Sequence, residues 1–264
     1  MEGVNAVIPV VEVKDVTHVY VNEKGATLAL DQIALSVRSG EFVSLVGPSG
    51  CGKTTLLSII AGLIPPTEGE VSILGQPVTG PTSKIGYMLQ QDFLFPWRSI
   101  RENVTIGLEI MGKLTREKKE FALHLLEELG LGQSAAKYPG ELSGGMRQRA
   151  ALARTLATEP DILFLDEPFS SLDFQTKLQL ENLISHTLKA RRKTSLLVTH
   201  DIAEAIAMSD RVIVLAPNPG RIKSEITIPA YLADMTPIAA REQDGFQEWF
   251  RIVRKEFEST ERRR

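Results

Sequence analysis

The chain has 264 residues, 43% of them apolar and 24% charged, with a formal net charge of −3. This is enough for one sizeable core, or a core with a small satellite subdomain, and the balanced charge argues against a nucleic-acid binder or an acidic disordered tail. One cysteine, Cys51, rules out an intrachain disulfide and fits a reducing compartment. The acidic N-terminus lacks the positive region of a signal peptide, and no apolar stretch reaches the roughly 20 residues of a membrane helix. Any membrane association is therefore expected through a partner.

The pattern predicts strands at Val11 to Val16, Leu28 to Val37 and Glu41 to Val46, with Arg38-Ser39-Gly40 as a turn. A glycine-rich loop follows at Gly47 to Gly52. Thr55 to Leu63 reads as a helix, which Pro65-Pro66 cannot continue. Gly69 to Leu74 and Lys84 to Leu89 read as strands. The middle of the chain, Ser99 to Tyr138, reads as a helical insertion. Ala122, Leu125, Leu126 and Leu129 share one helix face there, and Gly130 is a C-cap. Beyond it come a helix (Ser143 to Ala157), a buried strand (Ile162 to Leu165) and a further helix. A strand (Ser195 to Val198), a short helix from Ile202 and a strand (Arg211 to Leu215) follow. Strand–helix alternation with continuous apolar strands predicts an α/β fold with a parallel sheet covered on both faces. Near the end, Phe246, Trp249, Phe250, Val253 and Phe257 line one helix face, which reads as a packing face, with a face that fills a partner's groove as the alternative. The closing Arg262 to Arg264 reads as a solvated terminus.

Gly47-Pro48-Ser49-Gly50-Cys51-Gly52-Lys53-Thr54 matches G-x-x-x-x-G-K-[ST], between a strand and a helix as that motif requires. Glycines let the backbone N–H groups curl inward onto phosphate oxygens, and the helix N-terminus adds partial positive charge. Lys53 is expected at the β- and γ-phosphates, and the Thr54 hydroxyl on Mg²⁺. Thr55, next in the chain, belongs to the same ATP-binding segment. Cys51 is expected to point away from the phosphates as a small apolar residue.

Downstream, Ile162-Leu163-Phe164-Leu165 runs into Asp166-Glu167. Strand ends are where an α/β sheet presents its chemistry. Asp166 is expected to hold Mg²⁺, directly or through water. Glu167, pointing differently, is placed to act as general base on the attacking water. To this point the chain reads as a P-loop NTPase.

Leu142-Ser143-Gly144-Gly145-Met146-Arg147-Gln148-Arg149 resembles the LSGGQ signature of the ABC ATPase family, with methionine at the fifth position. Ser143 and two glycines at a helix start make a second anion site. The resemblance spans roughly Val11 to Leu215. It implies a RecA-like parallel-sheet core, an N-terminal antiparallel β subdomain and an inserted helical subdomain. An ATPase domain is expected over residues 1–216, its helical subdomain at about 99–140, and a short C-terminal extension over 217–264. The family also implies a dimer in which each ATP lies between one phosphate loop and the partner's signature. Position by position, Tyr20 matches the aromatic that stacks on adenine, although a core strand aromatic is the alternative. Gln90 matches the Q-loop glutamine that touches Mg²⁺ and water, with Gln91 as an alternative. Asp173, in Ser171-Leu172-Asp173, matches the D-loop. His200 matches the switch histidine at the γ-phosphate.

Leu94-Phe95-Pro96-Trp97-Arg98-Ser99-Ile100-Arg101-Glu102-Asn103-Val104 resembles the L-L-P-W-x-x-V-x-x-N-V segment of nitrate, sulfonate and taurine importer ATPases. Phe95 and Trp97 would then anchor a permease coupling helix; the alternative is that they pack inside the helical subdomain. The resemblance implies an importer ATPase using ATP and Mg²⁺, peripheral on the cytoplasmic face of the membrane. Its partners would be transmembrane permease subunits, a second motor subunit (homodimer or a related chain) and, indirectly, an extracytoplasmic solute-binding protein. No nucleic acid is expected. The alternative is a soluble ABC ATPase acting on a protein or nucleic-acid complex.

Overall fold

The computed structural model describes residues 9–23 and 25–261. The terminal arginines Arg262 to Arg264, and the part of the N-terminus read above that precedes residue 9, lie outside the described residues. In chain order the elements are β1 (Val11–Asn22), β2 (Gly25–Val37), β3 (Phe42–Val46), α1 (Lys53–Ile60), β4 (Glu68–Ile73), β5 (Gln76–Pro77), β6 (Ile85–Met88), α2 (Ile100–Ile110), α3 (Arg116–Glu128), α4 (Gly144–Ala157), β7 (Ile162–Asp166), α5 (Phe174–Ala190), β8 (Thr194–Thr199), α6 (Ile202–Met208), β9 (Arg211–Ala216), β10 (Arg221–Thr227), α7 (Ala230–Ala233), α8 (Pro237–Arg241) and α9 (Phe246–Glu261). They fall into two compact units. One joins the chain up to Thr82 with the chain from Leu188, and the other is Ser83–Thr187.

In the first unit, β1 pairs antiparallel with both β2 and β4, placing Val11 opposite Val37 on one side and Ile73 on the other. Val11, Val13 and Val16 are buried, so the valine alternation does mark the inward face. The strand runs six residues beyond Val16. Register shifts between Val13 and Val19, with Asp15 at φ 48°, break the alternation that would have announced the rest. A second sheet pairs β3 in parallel with β8 and β9. Every residue of β3 and β8 is buried, as expected of strands covered on both faces.

β10 pairs antiparallel with β9, so part of the segment expected as an extension belongs to this sheet. Just ahead of β10, Gly220 ties the segment to β2, donating its N–H to the Ala29 carbonyl at 2.9 Å while its own carbonyl accepts from Asp31 N. On α9, Phe246 and Val253 are buried in a cluster with Val46, Ile206, Val214 and Leu232. Trp249, Phe250 and Phe257 pack against that cluster. The aromatic stripe is thus a packing face.

In the second unit, β6 and β7 run parallel, with Met88 opposite Leu165. The helical insertion resolves into α2 and α3. Ser99 and Glu102 form a reciprocal capping box at the start of α2, and the Thr115 side chain caps α3. Leu125 and Leu126 are fully buried. Gly130, at φ 70°, ends α3 by donating its N–H to the Glu127 carbonyl.

Candidate functional site

The first unit carries the phosphate loop. Because β3 and β8 are parallel and in register, Val46 pairs with Thr199. Gly47 and His200 therefore leave the same end of neighbouring strands, the end where such sheets present ligand-binding groups. The loop needs its glycines for two different reasons. A Cβ on Gly47 would stand 2.7 Å from the Leu215 carbonyl and 2.6 Å from Cys51 Sγ. Gly52 has φ 89°, and a Cβ there would meet Leu30 Cδ2 at 2.5 Å. Gly52 is also the N-cap of α1, which has no side-chain cap, so the first N–H groups of the helix stay available to an anion.

Lys53 is buried, and its Nζ donates to the Gly47 carbonyl at 2.7 Å and to the Pro48 carbonyl at 3.1 Å. The ammonium thus lies inside the curl of the loop. Cys51 is fully buried, with Lys53 Nζ 3.8 Å from its sulfur. Burial pushes the Cys51 thiol above its ordinary pKa, and the Lys53 charge pulls the other way. Ser49, Gly50 and Thr54 are exposed, and Thr55 is half-buried. Tyr20 is 44% exposed. Its hydroxyl reaches Thr55 Oγ1, and its ring lies edge-on to His18. His200 is exposed. The next residue, Asp201, caps α6 by accepting from Ala203 N and Glu204 N.

The second unit carries the carboxylates, the glutamine and the signature. Parallel pairing of β6 with β7 brings the segment after Met88 and the Asp166-Glu167 pair to one end. Asp166 is buried and accepts from the Tyr87 hydroxyl at 3.3 Å. Glu167 has φ 46°, a left-handed conformation uncommon outside glycine and of the kind found at functional turns. Its carbonyl accepts from Ser170 Oγ at 3.0 Å, and Ser170 Oγ in turn accepts from Gln90 Nε2 at 3.1 Å. Of the two adjacent glutamines, both exposed, Gln90 makes this link.

Ser143 is the N-cap of α4, its hydroxyl accepting from Met146 N at 3.4 Å. Gly144 and Gly145 form the first turn. A Cβ on Gly145 would stand 2.4 Å from Thr176 Cγ2. Asp173 accepts from Thr176 N at 3.1 Å at the start of α5. Hydrogen bonding to Thr176 holds the Asp173 carboxyl below its ordinary pKa. The site residues read from the sequence thus divide into two sets. Tyr20, Gly47 to Thr55 and His200 lie in the first unit; Gln90, Ser143 to Gly145, Asp166, Glu167 and Asp173 lie in the second. Tyr87 and Ser170 were not singled out in the sequence. A tyrosine in a strand and a serine in a turn carry no signal until their contacts with Asp166 and Gln90 are seen.

The family model for the ABC transporter matches residues 30–170. The chain belongs to this family. As an ABC transporter ATP-binding subunit it is an ATP-hydrolysing P-loop protein. It is 57% identical over 250 residues to an uncharacterized ABC transporter ATP-binding protein of Bacillus subtilis, covering 95% of this chain and 96% of that one. It is 43% identical to the nitrate import ATP-binding protein of Synechocystis sp., over 82% of each chain. To a taurine import ATP-binding protein of Roseobacter denitrificans it is 45% identical, over 76% of this chain and 75% of that one. Among solved structures, it resembles a dimeric ATP-binding cassette in a post-hydrolysis state bound to ADP and Pi. The TM-score is 0.73 at 35% identity, covering 83% of this chain and 99% of that one.

Proposed function

We propose that this ABC subunit is the motor of an importer for a small solute of the nitrate, sulfonate or taurine kind. It would work as a dimer on the cytoplasmic face of the membrane, bound to a separate permease that is fed by an external solute-binding protein. The observation that carries the importer reading is the presentation of Trp97. This ring is 72% exposed, tilted against Phe95 at 5.4 Å. The segment under it is clamped by Asn103, which is fully buried. Asn103 accepts from Phe95 N at 2.7 Å and donates to the carbonyls of Phe95, Arg98 and Ser99. A large ring left exposed on a clamped segment suits a partner's groove better than a core. The nitrate and taurine import relatives and the dimeric cassettes support the same reading.

In the proposed cycle, Tyr20 stacks on adenine and the N–H groups of Gly47 to Thr55 receive the phosphates. Lys53 turns from its loop carbonyls to the β- and γ-oxygens. The donors for Mg²⁺ would be the Thr54 hydroxyl, the Asp166 carboxylate and the Gln90 amide oxygen, a set of hard oxygens that fits this ion. The ion, when bound, would neutralise phosphate charge. Glu167 takes a proton from the water that attacks the γ-phosphorus, His200 steadies that water, and ADP leaves with its β-oxygen. Ser143, Gly144 and Gly145 grip the nucleotide of the partner motor, and Asp173 lies at the interface.

The test is to draw the tagged chain from detergent-solubilised membranes and identify what accompanies it. A multi-helix permease supports the importer reading. A soluble complex or nucleic acid in its place overturns it.

A further inference from the structure

Away from the phosphate loop, the first unit holds a cavity of about 600 Å³, an ordinary size for a small-molecule site. Phe42, Lys189, Arg192, Lys193, Asp210 and Asp234 are among the residues that line it. Parallel pairing of β3 with β8 and β9 puts Phe42, Lys193 and Asp210 at the entry ends of these strands, opposite the end that carries Gly47 and His200. Asp210 is fixed twice by Phe42. Its Oδ2 accepts from Phe42 N at 2.7 Å, and its N–H donates to the Phe42 carbonyl at 2.8 Å. Burial pushes the Asp210 carboxyl above its ordinary pKa, while the Phe42 N–H and the Lys189 charge pull it back. Lys189 is committed to the main chain on either side of Asp234, donating Nζ to the Ala233 carbonyl and, at 3.1 Å, to the Met235 carbonyl.

Two opposite charges in this lining stay unpaired. Among the described residues, the side chains of Arg192 and Asp234, both exposed, make no hydrogen bond or ion pair. Arg192 is also unfavourable where it stands. α5 closes with the Arg192 N–H on the Lys189 carbonyl and the Lys193 N–H on the Leu188 carbonyl, and Arg192 takes φ 48° at the position glycine usually holds. A side chain is strained at this φ, so the helix end alone would favour glycine. We infer that this cavity is a binding site for a small zwitterion of the amino-acid class, its acid group on the Arg192 guanidinium and its ammonium on the Asp234 carboxylate. The guanidinium fork matches a carboxylate or sulfonate, and the Asp234 oxygens accept the N–H groups of an ammonium. A single ion would leave one of the two charges unanswered. A nucleotide suits the cavity poorly, because Asp210 and Asp234 would repel its phosphates.

The test is an equilibrium binding titration of the full chain with ω-amino acids from β-alanine to 6-aminohexanoate, repeated with ADP at saturation. At least one of them is expected to bind with a Kd of about 1 mM or tighter, and within about twofold of that value when ADP is present. Propionate and ethylammonium, which carry one charge each, should bind at least about tenfold more weakly. Arg192→Gly and Asp234→Asn should each weaken the amino acid by about tenfold or more. Arg192→Gly installs the residue that the helix end prefers, so its loss of binding is not a loss of folding. Arg192→Lys keeps the charge without the fork and should recover part of the affinity. Failure of the whole series to bind overturns the inference, and so does parental affinity in either Arg192→Gly or Asp234→Asn. Propionate binding as tightly as the amino acids would make the cavity a plain anion site and overturn the zwitterion. Competition by ADP would move the ligand to the phosphate loop and overturn the site.

Discussion

The Tyr20 hydroxyl lies 3.3 Å from the Thr55 hydroxyl, so an exposed ring on β1 is tied to the first turn of the phosphate-loop helix. His18 holds the same ring edge-on, with centroids 4.6 Å apart. A ring pinned at both its tip and its edge loses little freedom when a base stacks on it. Base–aromatic stacking is worth about 1–3 kcal/mol, so Tyr20→Ala is expected to weaken ATP binding about 5- to 150-fold in an equilibrium titration. Tyr20→Phe keeps the face and should stay within about threefold of the parent. An equal loss in both would assign the effect to the hydroxyl instead.

Glu167→Gln removes the proposed base while keeping size and shape. Loss of a positioned base costs about 10²- to 10⁴-fold, and kcat for ATP should fall into that range. ATP should still bind and hold the chain as a dimer in size-exclusion chromatography. Turnover at the parental rate would strip Glu167 of its role.

Cys51 offers a check on the loop that needs no nucleotide. Its folded pKa is raised, with burial as the main cause, so at any given pH the folded chain holds less thiolate than the unfolded chain. Thiolate is the species that alkylates. At about pH 8, iodoacetamide should label the native chain at least about tenfold more slowly than the chain in denaturant. The native rate should climb only as pH passes above the ordinary thiol range. Equal rates would mean that the thiol is open to solvent.

Asn103 and Trp97 should separate stability from partnership. Asn103→Ala strands buried main-chain groups and should cost about 1–3 kcal/mol in a denaturant titration. Trp97 is largely exposed, so Trp97→Ala should change stability by no more than about 0.5 kcal/mol. Basal ATPase should be unchanged, and stimulation by the reconstituted permease weakened. Full stimulation would remove Trp97 from the contact.

What could be read in the sequence was whatever is local. The phosphate loop, the carboxylate pair after Leu165 and the cap at Ser143 are each set by a few adjacent residues whose spacing follows from phosphate or helix geometry. The apolar runs of β3, β7 and β8 were legible because burial on both faces removes polar positions. Less legible was anything decided by distant neighbours. α1 starts two residues earlier than Thr55 and ends at Ile60, ahead of Gly62 at φ 73°. β5, only two residues long, gave no periodic signal. β10 alternates half-buried with exposed residues, a pattern too weak to announce a strand until β9 is there to pair with it. The contacts Tyr87 to Asp166 and Ser170 to Gln90 each span about eighty positions of sequence, and no spacing rule reaches that far.

β10 matters beyond its modest pairing. It is the terminal strand of its sheet, and Lys223 on it donates to the Glu256 carbonyl and pairs with the Glu256 carboxylate, roofing the rim with α9. Without these residues, β9 would present a bare ladder of N–H and C=O groups along a strand whose middle, Val212 to Leu215, is valine, isoleucine and leucine. A chain cut after Ala216 keeps every nucleotide-contacting position proposed above, yet it should stick to its own copies through that naked margin. The C-terminal segment therefore covers a margin that would otherwise be open to pairing with another strand.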